Sequence, residues 1–255
     1  MTAESLEILW PALLTGLLVL ATHVPLGRIV LERGIVFIDL AVAQVAGLGV
    51  VAAATLGWEA HGWAVQASAA TAALLSAALL FWTERRFGPL QEAIIGVLFV
   101  AAASAEILLL GLSPRGAEHL KDLLVGQILW VTPGQLLPVA ILYAAVLAAL
   151  ATGGVGRRNA LFYGLFALTI TASVQLVGVF LVFASLIVPI LAARAGGAAN
   201  PLRFAYGVGI AGYLAGLAAS AAWDVATGAA VVCALVVTGA AAAAGSSLAL
   251  AARQS

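Results

Sequence analysis

Charge is what this sequence has least of. Of its 255 residues 9% are Asp, Glu, Lys or Arg, eleven acidic and eleven basic, against 64% hydrophobic. A soluble domain carries about 25% charged residues. So few charges cannot clothe a water-facing surface, and the chain reads as an all-α, polytopic transmembrane helical bundle. Zero formal net charge leaves no basic face for nucleic acid, which is excluded as a partner. One cysteine, Cys233, excludes an intrachain disulfide. Lysine is confined to Lys121, which follows Leu120, so no glycine-rich phosphate loop ending in Gly-Lys exists and the chain has no ATP site of that kind. None of His23, His61 and His119 is followed by Glu, which removes the HExxH hydrolase motif, and a GxSxG nucleophile elbow is also missing. Nothing marks a catalytic residue, and the chain reads as a non-enzyme.

What is present is a series of apolar runs near the length of about 20 residues that crosses a hydrocarbon core. Spans are expected at 6–23, 35–57, 63–82, 91–112, 134–152, 161–181, 204–222 and 228–250, in one transmembrane domain over 1–255. Glu4 and Glu7 replace the basic start of a signal peptide, so the first run is expected to stay as a helix. From Asn159 to Ala193 there is no charge at all. One straight helix there would extend roughly 52 Å, against a core of about 30 Å. Gly178 and Pro189 are the natural break points, predicting a full crossing, a bend and a short helix, for eight or nine spans in all. Broken helices are tolerated in membranes where protein or a cavity covers the freed backbone groups, which makes this stretch a candidate gate and pathway lining. Basic residues favour the cytoplasm. Arg28/Arg33, Arg85/Arg86, Arg157/Arg158, Arg194/Arg203 and Arg253 all fall inside if the N-terminus lies outside and the short helix crosses; the 113–122 loop, with Arg115 and Lys121, is the misfit. Trp10, Trp58, Trp63, Trp82 and Trp130 fall near span ends, as an aromatic belt does.

Polar residues inside the runs are the candidate functional ones. Asp39 sits about one turn inside its span, where a carboxylate costs up to about 3 kcal/mol. It either caps, pairs with Arg33 or bonds a neighbouring helix, or it meets a cation on a pathway. Gln44 lies about 140° further round the helix, so the two do not form a ligand pair by themselves. Ala43 and Gly47 have the small-xxx-small spacing that lets helices approach, as do Gly212 and Gly216. Glu92 is expected at a helix start, where its charge suits the dipole, and Glu106 at a helix mouth. Glu118 and His119 lie in a segment that is either a solvated loop or a metal-attracting mouth. His23 and His61 read as interfacial and structural.

Several stretches resemble the ABC-3 family, the permease subunits of bacterial zinc, manganese and iron importers driven by ATP-binding cassettes. "FIDLAVAQVAGLGV" is similar to the family's "flgDalsHavlpGva"; "SVQLVGVFLVFASLIVPILAAR" to "vvGvlLvfalLiiPaatAr"; "SAAWDVATGAAVV" to "SyylDlPsGaaiv". "QEAIIGVLF" and "HLKDLLVGQILWV" also have counterparts, and the likenesses run in family order from His23 to about Ala240. The resemblance implies a homodimer whose two chains enclose a metal path, embedded in the lipid of a prokaryotic inner (plasma) membrane. It implies a cytoplasmic ATP-binding subunit as motor and an extracytoplasmic metal-binding protein that delivers the ion. The cargo is a divalent transition metal, zinc or manganese, with no permanently bound cofactor. Asp39 and Gln44 would face the path, Glu118 and His119 gather cations, and Arg157 and Arg158 meet the ATPase. Three departures stand out. Gln44 occupies the family's histidine position and Asp39 comes one residue early; the cytoplasmic segment shrinks to Gly153–Asn159; Ala226 replaces a proline. Alternatives are a stand-alone metal carrier, a permease for chelated iron and a membrane scaffold that transports nothing.

Overall fold

A computed structural model describes residues 3–58, 62–110, 126, 128–153 and 159–254. They form α1 (Ala3–Arg33), α2 (Ile38–Thr55), α3 (Trp63–Phe87), α4 (Gln91–Leu110), α5 (Pro133–Ala151), α6 (Asn159–Val177), α7 (Val179–Ala195), α8 (Pro201–Trp223) and α9 (Thr227–Gln254), with no strand among the described residues. Apolar helices of this kind satisfy every backbone group internally, as lipid requires. Their outward faces are apolar too: Leu79, Val97, Leu108, Ile141 and Val237 are all exposed. Trp10, Trp63, Trp82, Trp130 and Trp223 are exposed near helix ends, the positions a bilayer interface favours.

By length and composition, seven helical runs among the described residues can cross a membrane, counting Trp63–Leu110 as one run of 48 residues. Straight, that run would extend about 72 Å. Instead the chain turns at Gly88–Leu90. Phe87 leaves helical geometry (φ −134°, ψ 35°). Gln91 Nε2 then donates to the Leu80 carbonyl at 2.9 Å, although the two residues would lie about 16 Å apart on one straight helix. Helices α3 and α4 are therefore separate crossings. Helix α7, with 17 residues, is the short one.

The chain divides into two compact units. The first comprises Met1–Glu32, Val125–Tyr143 and Leu176–Ser255. Within it, Gly16 lies against the Tyr213 ring and Gly209 against Leu20, while Tyr206 donates to the Ala21 carbonyl at 3.0 Å, so α1 and α8 run antiparallel. Gly27 abuts the Leu186 carbonyl and Arg194 reaches the Leu31 carbonyl at 3.4 Å, so α7 runs parallel to α1. Gly212 and Gly216 are where α9 meets α8, at Leu235 and Val231. Gly239 against Val188 and Gly196 against Ser246 place α9 parallel to α7.

The second unit comprises Arg33–Leu124 and Ala144–Gln175. Its helix α2 packs on both α3 and α4. Ser68 at the start of α3 donates to the Gly49 carbonyl near the end of α2, at 2.9 Å, so these two are antiparallel. Glu92 accepts from Phe37 N at 3.4 Å and Glu106 lies against Gly47, so α2 and α4 are parallel. Helix α6 starts where α3 ends and α4 begins: Asn159 Nδ2 donates to Glu84 at 2.9 Å and Gln91 Nε2 donates to the Tyr163 hydroxyl at 3.3 Å. Inside each unit these directions are the alternation that successive membrane crossings demand.

Candidate functional site

Asp39 occupies the first turn of α2 and is 1% exposed. Neither carboxylate oxygen has a hydrogen-bond partner among the described residues. The backbone N–H groups of Asp39 itself and Leu40 lie alongside, so the helix start gives the group polar company. Arg33, the counter-ion that proximity in sequence suggests, instead faces Glu84 at 3.8 Å and lies over the Phe162 ring at 4.3 Å. Phe37, just before α2, offers its N–H to Glu92. Among the described residues, Asp39 is thus a buried carboxylate without a counter-ion.

Gln44 is also buried, one turn further along α2. Asp39, Ala43 and Gly47 follow the i, i+4, i+8 row of that helix, a line of neighbouring positions on its surface. The nearest neighbour of Gly47 on another helix is the carboxylate of Glu106, whose Oε1 would stand 2.8 Å from a Cβ built there. Glu106 is 1% exposed, not a mouth residue, and its Oε1 has no partner among the described residues. The missing side chain at Gly47 leaves the space that makes this burial possible.

Gly178 breaks the long uncharged run, ending α6 at Val177 and starting α7 at Val179. Its φ of 80° favours glycine, and its carbonyl accepts from Val182 N at 3.1 Å to begin the next helix. Gly126, also left-handed at φ 72°, lies with its Cα directly on the Val177–Gly178 peptide. Buried positions run all round α7 from Val179 to Ala193, so in the first unit this helix faces protein more than lipid. Pro189 sits inside α7, which continues through it.

His23 departs from its interfacial expectation. It is fully buried in the first unit, with Nδ1–H donating to the Val19 carbonyl at 2.9 Å and the ring 6.5 Å from that of Tyr143. Ser185 and Tyr213 are hydrogen-bonded at 2.8 Å in the same unit. Glu118, His119, Arg157 and Arg158 lie outside the described residues. Among the described residues no three His, Cys, Asp or Glu side chains converge as a metal cage. The chemistry on offer is oxygen ligands, few per chain, set in an apolar surround: suited to an ion in passage and open to ligands from water or another chain.

The sequence matches the ABC 3 transport family over residues 5–153 and 154–244. No curated protein matches it. Among solved structures the chain is similar to one described as PsaBC from Streptococcus pneumoniae in complex with Fab, with 21% identity, 95% of each chain covered and a TM-score of 0.73. At that identity the likeness is one of fold.

Proposed function

The chain belongs to the ABC 3 transport family, and from that membership we propose that it is the membrane-spanning permease of an ATP-driven importer of divalent transition-metal ions, zinc or manganese. It is a multi-pass protein of the inner (plasma) membrane. A cytoplasmic ATP-binding subunit drives it and an extracytoplasmic binding protein delivers the ion; two copies of the chain enclose the path.

The observation that carries this reading is Asp39, one residue inside α2, a buried carboxylate without a counter-ion among the described residues. An unpaired carboxylate within a membrane is expensive and is kept where it serves an ion pathway. A divalent cation supplies the missing positive charge, and carboxylate oxygen suits zinc and manganese. Gln44 offers an amide oxygen further along the same helix. A dimer doubles both, which compensates for the small number of ligands in one chain. Movement between inward- and outward-open states is assigned to the α6–α7 junction, where Gly126 and Gly178 bring two irregular backbone segments together. Glu118 and His119 gather cations, and Arg157 and Arg158 meet the motor.

The test is uptake of radioactive zinc and manganese into vesicles holding the chain, its ATP-binding subunit and the delivery protein. Uptake should require ATP, and Asp39→Asn should lower it at least about tenfold, equivalent to about 1.4 kcal/mol. The short 153–159 segment favours one rival, a stand-alone carrier. Uptake that proceeds without the ATP-binding subunit would establish that rival instead.

A further inference from the structure

Asp39 is not the only carboxylate set against the Asp39–Ala43–Gly47 row of α2. We propose that Glu106 is a second cation-contacting station of the same pathway, reaching the row from α4 through the gap at Gly47; this rests on the transport reading of Asp39. The ligand class is a divalent transition-metal cation, partly hydrated, taken by carboxylate oxygen.

Three observations converge. Glu106 is 1% exposed, and its Oε1 is aimed at Gly47 without a hydrogen-bond partner among the described residues. A glutamate buried for packing would find a donor, because an unsatisfied buried polar group is costly. The hydroxyls at the neighbouring end of α3 do not supply one: Ser68 donates to the Gly49 carbonyl and Thr71 to Ala67 in its own helix. Second, Gly47 is the residue whose lack of a side chain lets the carboxylate reach α2; a Cβ there would stand 2.8 Å from Oε1, closer than real side chains come. Third, Gly47 stands two i+4 steps from Asp39, about 12 Å along the helix. Among the described residues, both Asp39 oxygens and Glu106 Oε1 therefore meet one helix row, at different depths, without partners.

The basic end of α1 and α3, with Arg28, Arg33, Arg85 and Arg86, marks the cytoplasmic side. Helix α4 begins at that end, and Glu106 comes near its other end. Glu106 is then the outer station and Asp39 the inner one, and an entering ion meets Glu106 first. The spacing lets an ion leave one carboxylate for the other without both holding it at once.

Equilibrium dialysis of the full-length chain in complex with its ATP-binding subunit, against manganese(II) and separately zinc(II), tests this. Wild type should bind two ions per chain, Glu106→Gln and Asp39→Asn one each, and the double variant none. Gly47→Ala should push the Glu106 carboxylate aside and weaken one ion by about 10- to 100-fold, as displaced ligand shells do, leaving the other unchanged; this variant keeps the test open should Glu106→Gln fail to fold. Two ions retained in Glu106→Gln, or a wild type with one ion that Asp39→Asn alone removes, overturns the proposal and leaves the transport reading intact. A wild type that binds no ion in the presence of both metals overturns both.

Discussion

A single added methyl group distinguishes the glycines of this chain from one another. At Gly27 it would strike the Leu186 carbonyl, whereas at Gly96 and Gly164 it would meet nothing within 4 Å. Gly27→Ala should therefore destabilise the protein by about 1–3 kcal/mol, as overpacking does. Gly96→Ala and Gly164→Ala should be neutral or gain up to about 1 kcal/mol from helix propensity. Thermal unfolding of the three variants in detergent checks this; equal midpoints would deny the close approach of α1 and α7. Composition shows that glycine is abundant, but not which glycines touch another helix. The same holds for the carboxylates. Asp39 is conspicuous in the sequence because it interrupts an apolar run. Its lack of a counter-ion is not, because Arg33, close by in sequence, turns to Glu84 on another helix. Glu106 reads as a mouth residue until Gly47 is seen beneath it.

At the scale of helices, breaks were the legible feature. The excess length of the 159–193 run and its glycine point to Gly178, and α6 does end there. Pro189 is an equally good breaker on paper, yet α7 runs through it. A proline removes one donor and crowds one carbonyl, and packing on all sides of α7 holds the helix across that defect. Pro189→Ala should accordingly leave helical content by circular dichroism unchanged. Gly178→Ala forces a side chain into the glycine-only region at φ 80°, ψ 163°, at a cost of about 1–3 kcal/mol. Gly126→Ala adds a collision with the Val177–Gly178 peptide to a positive φ, so it should lower the unfolding midpoint below that of Gly96→Ala. A Gly126→Ala midpoint equal to that of Gly96→Ala would show that the junction is looser than described. The α3–α4 turn is different: Arg85, Arg86 and Pro89 announce it, but Gln91 staples it. Its amide donates to Leu80 O and Tyr163 and accepts from Thr83 at 2.9 Å. Gln91→Leu removes these hydrogen bonds, although Thr83 still donates to Leu80 O at 3.0 Å, and should destabilise by about 1–2 kcal/mol, measured by the same unfolding assay.

For the molecule as a whole, orientation is the property that all helices share. Directions within the first unit place the ends of α1, α7 and α9 together, as an outside N-terminus requires. In a Cys233→Ala background, Val225→Cys should react with a membrane-impermeant maleimide on intact spheroplasts, and Arg28→Cys only after permeabilisation. The opposite pattern would invert the topology and with it the order of the two carboxylates. That the chain crosses the membrane eight or nine times follows from the sequence alone because lipid makes each helix satisfy its own backbone; that requirement is local, and counting apolar residues between charges answers it, though not where each helix ends. Which carboxylates lie buried without partners, and which glycine opens a way for one of them, depends on residues far apart in sequence. Helices that are apolar all round carry no stripe to say which face meets which neighbour. That choice is made by close packing in three dimensions, and it put Glu106 on Gly47 and left Asp39 alone.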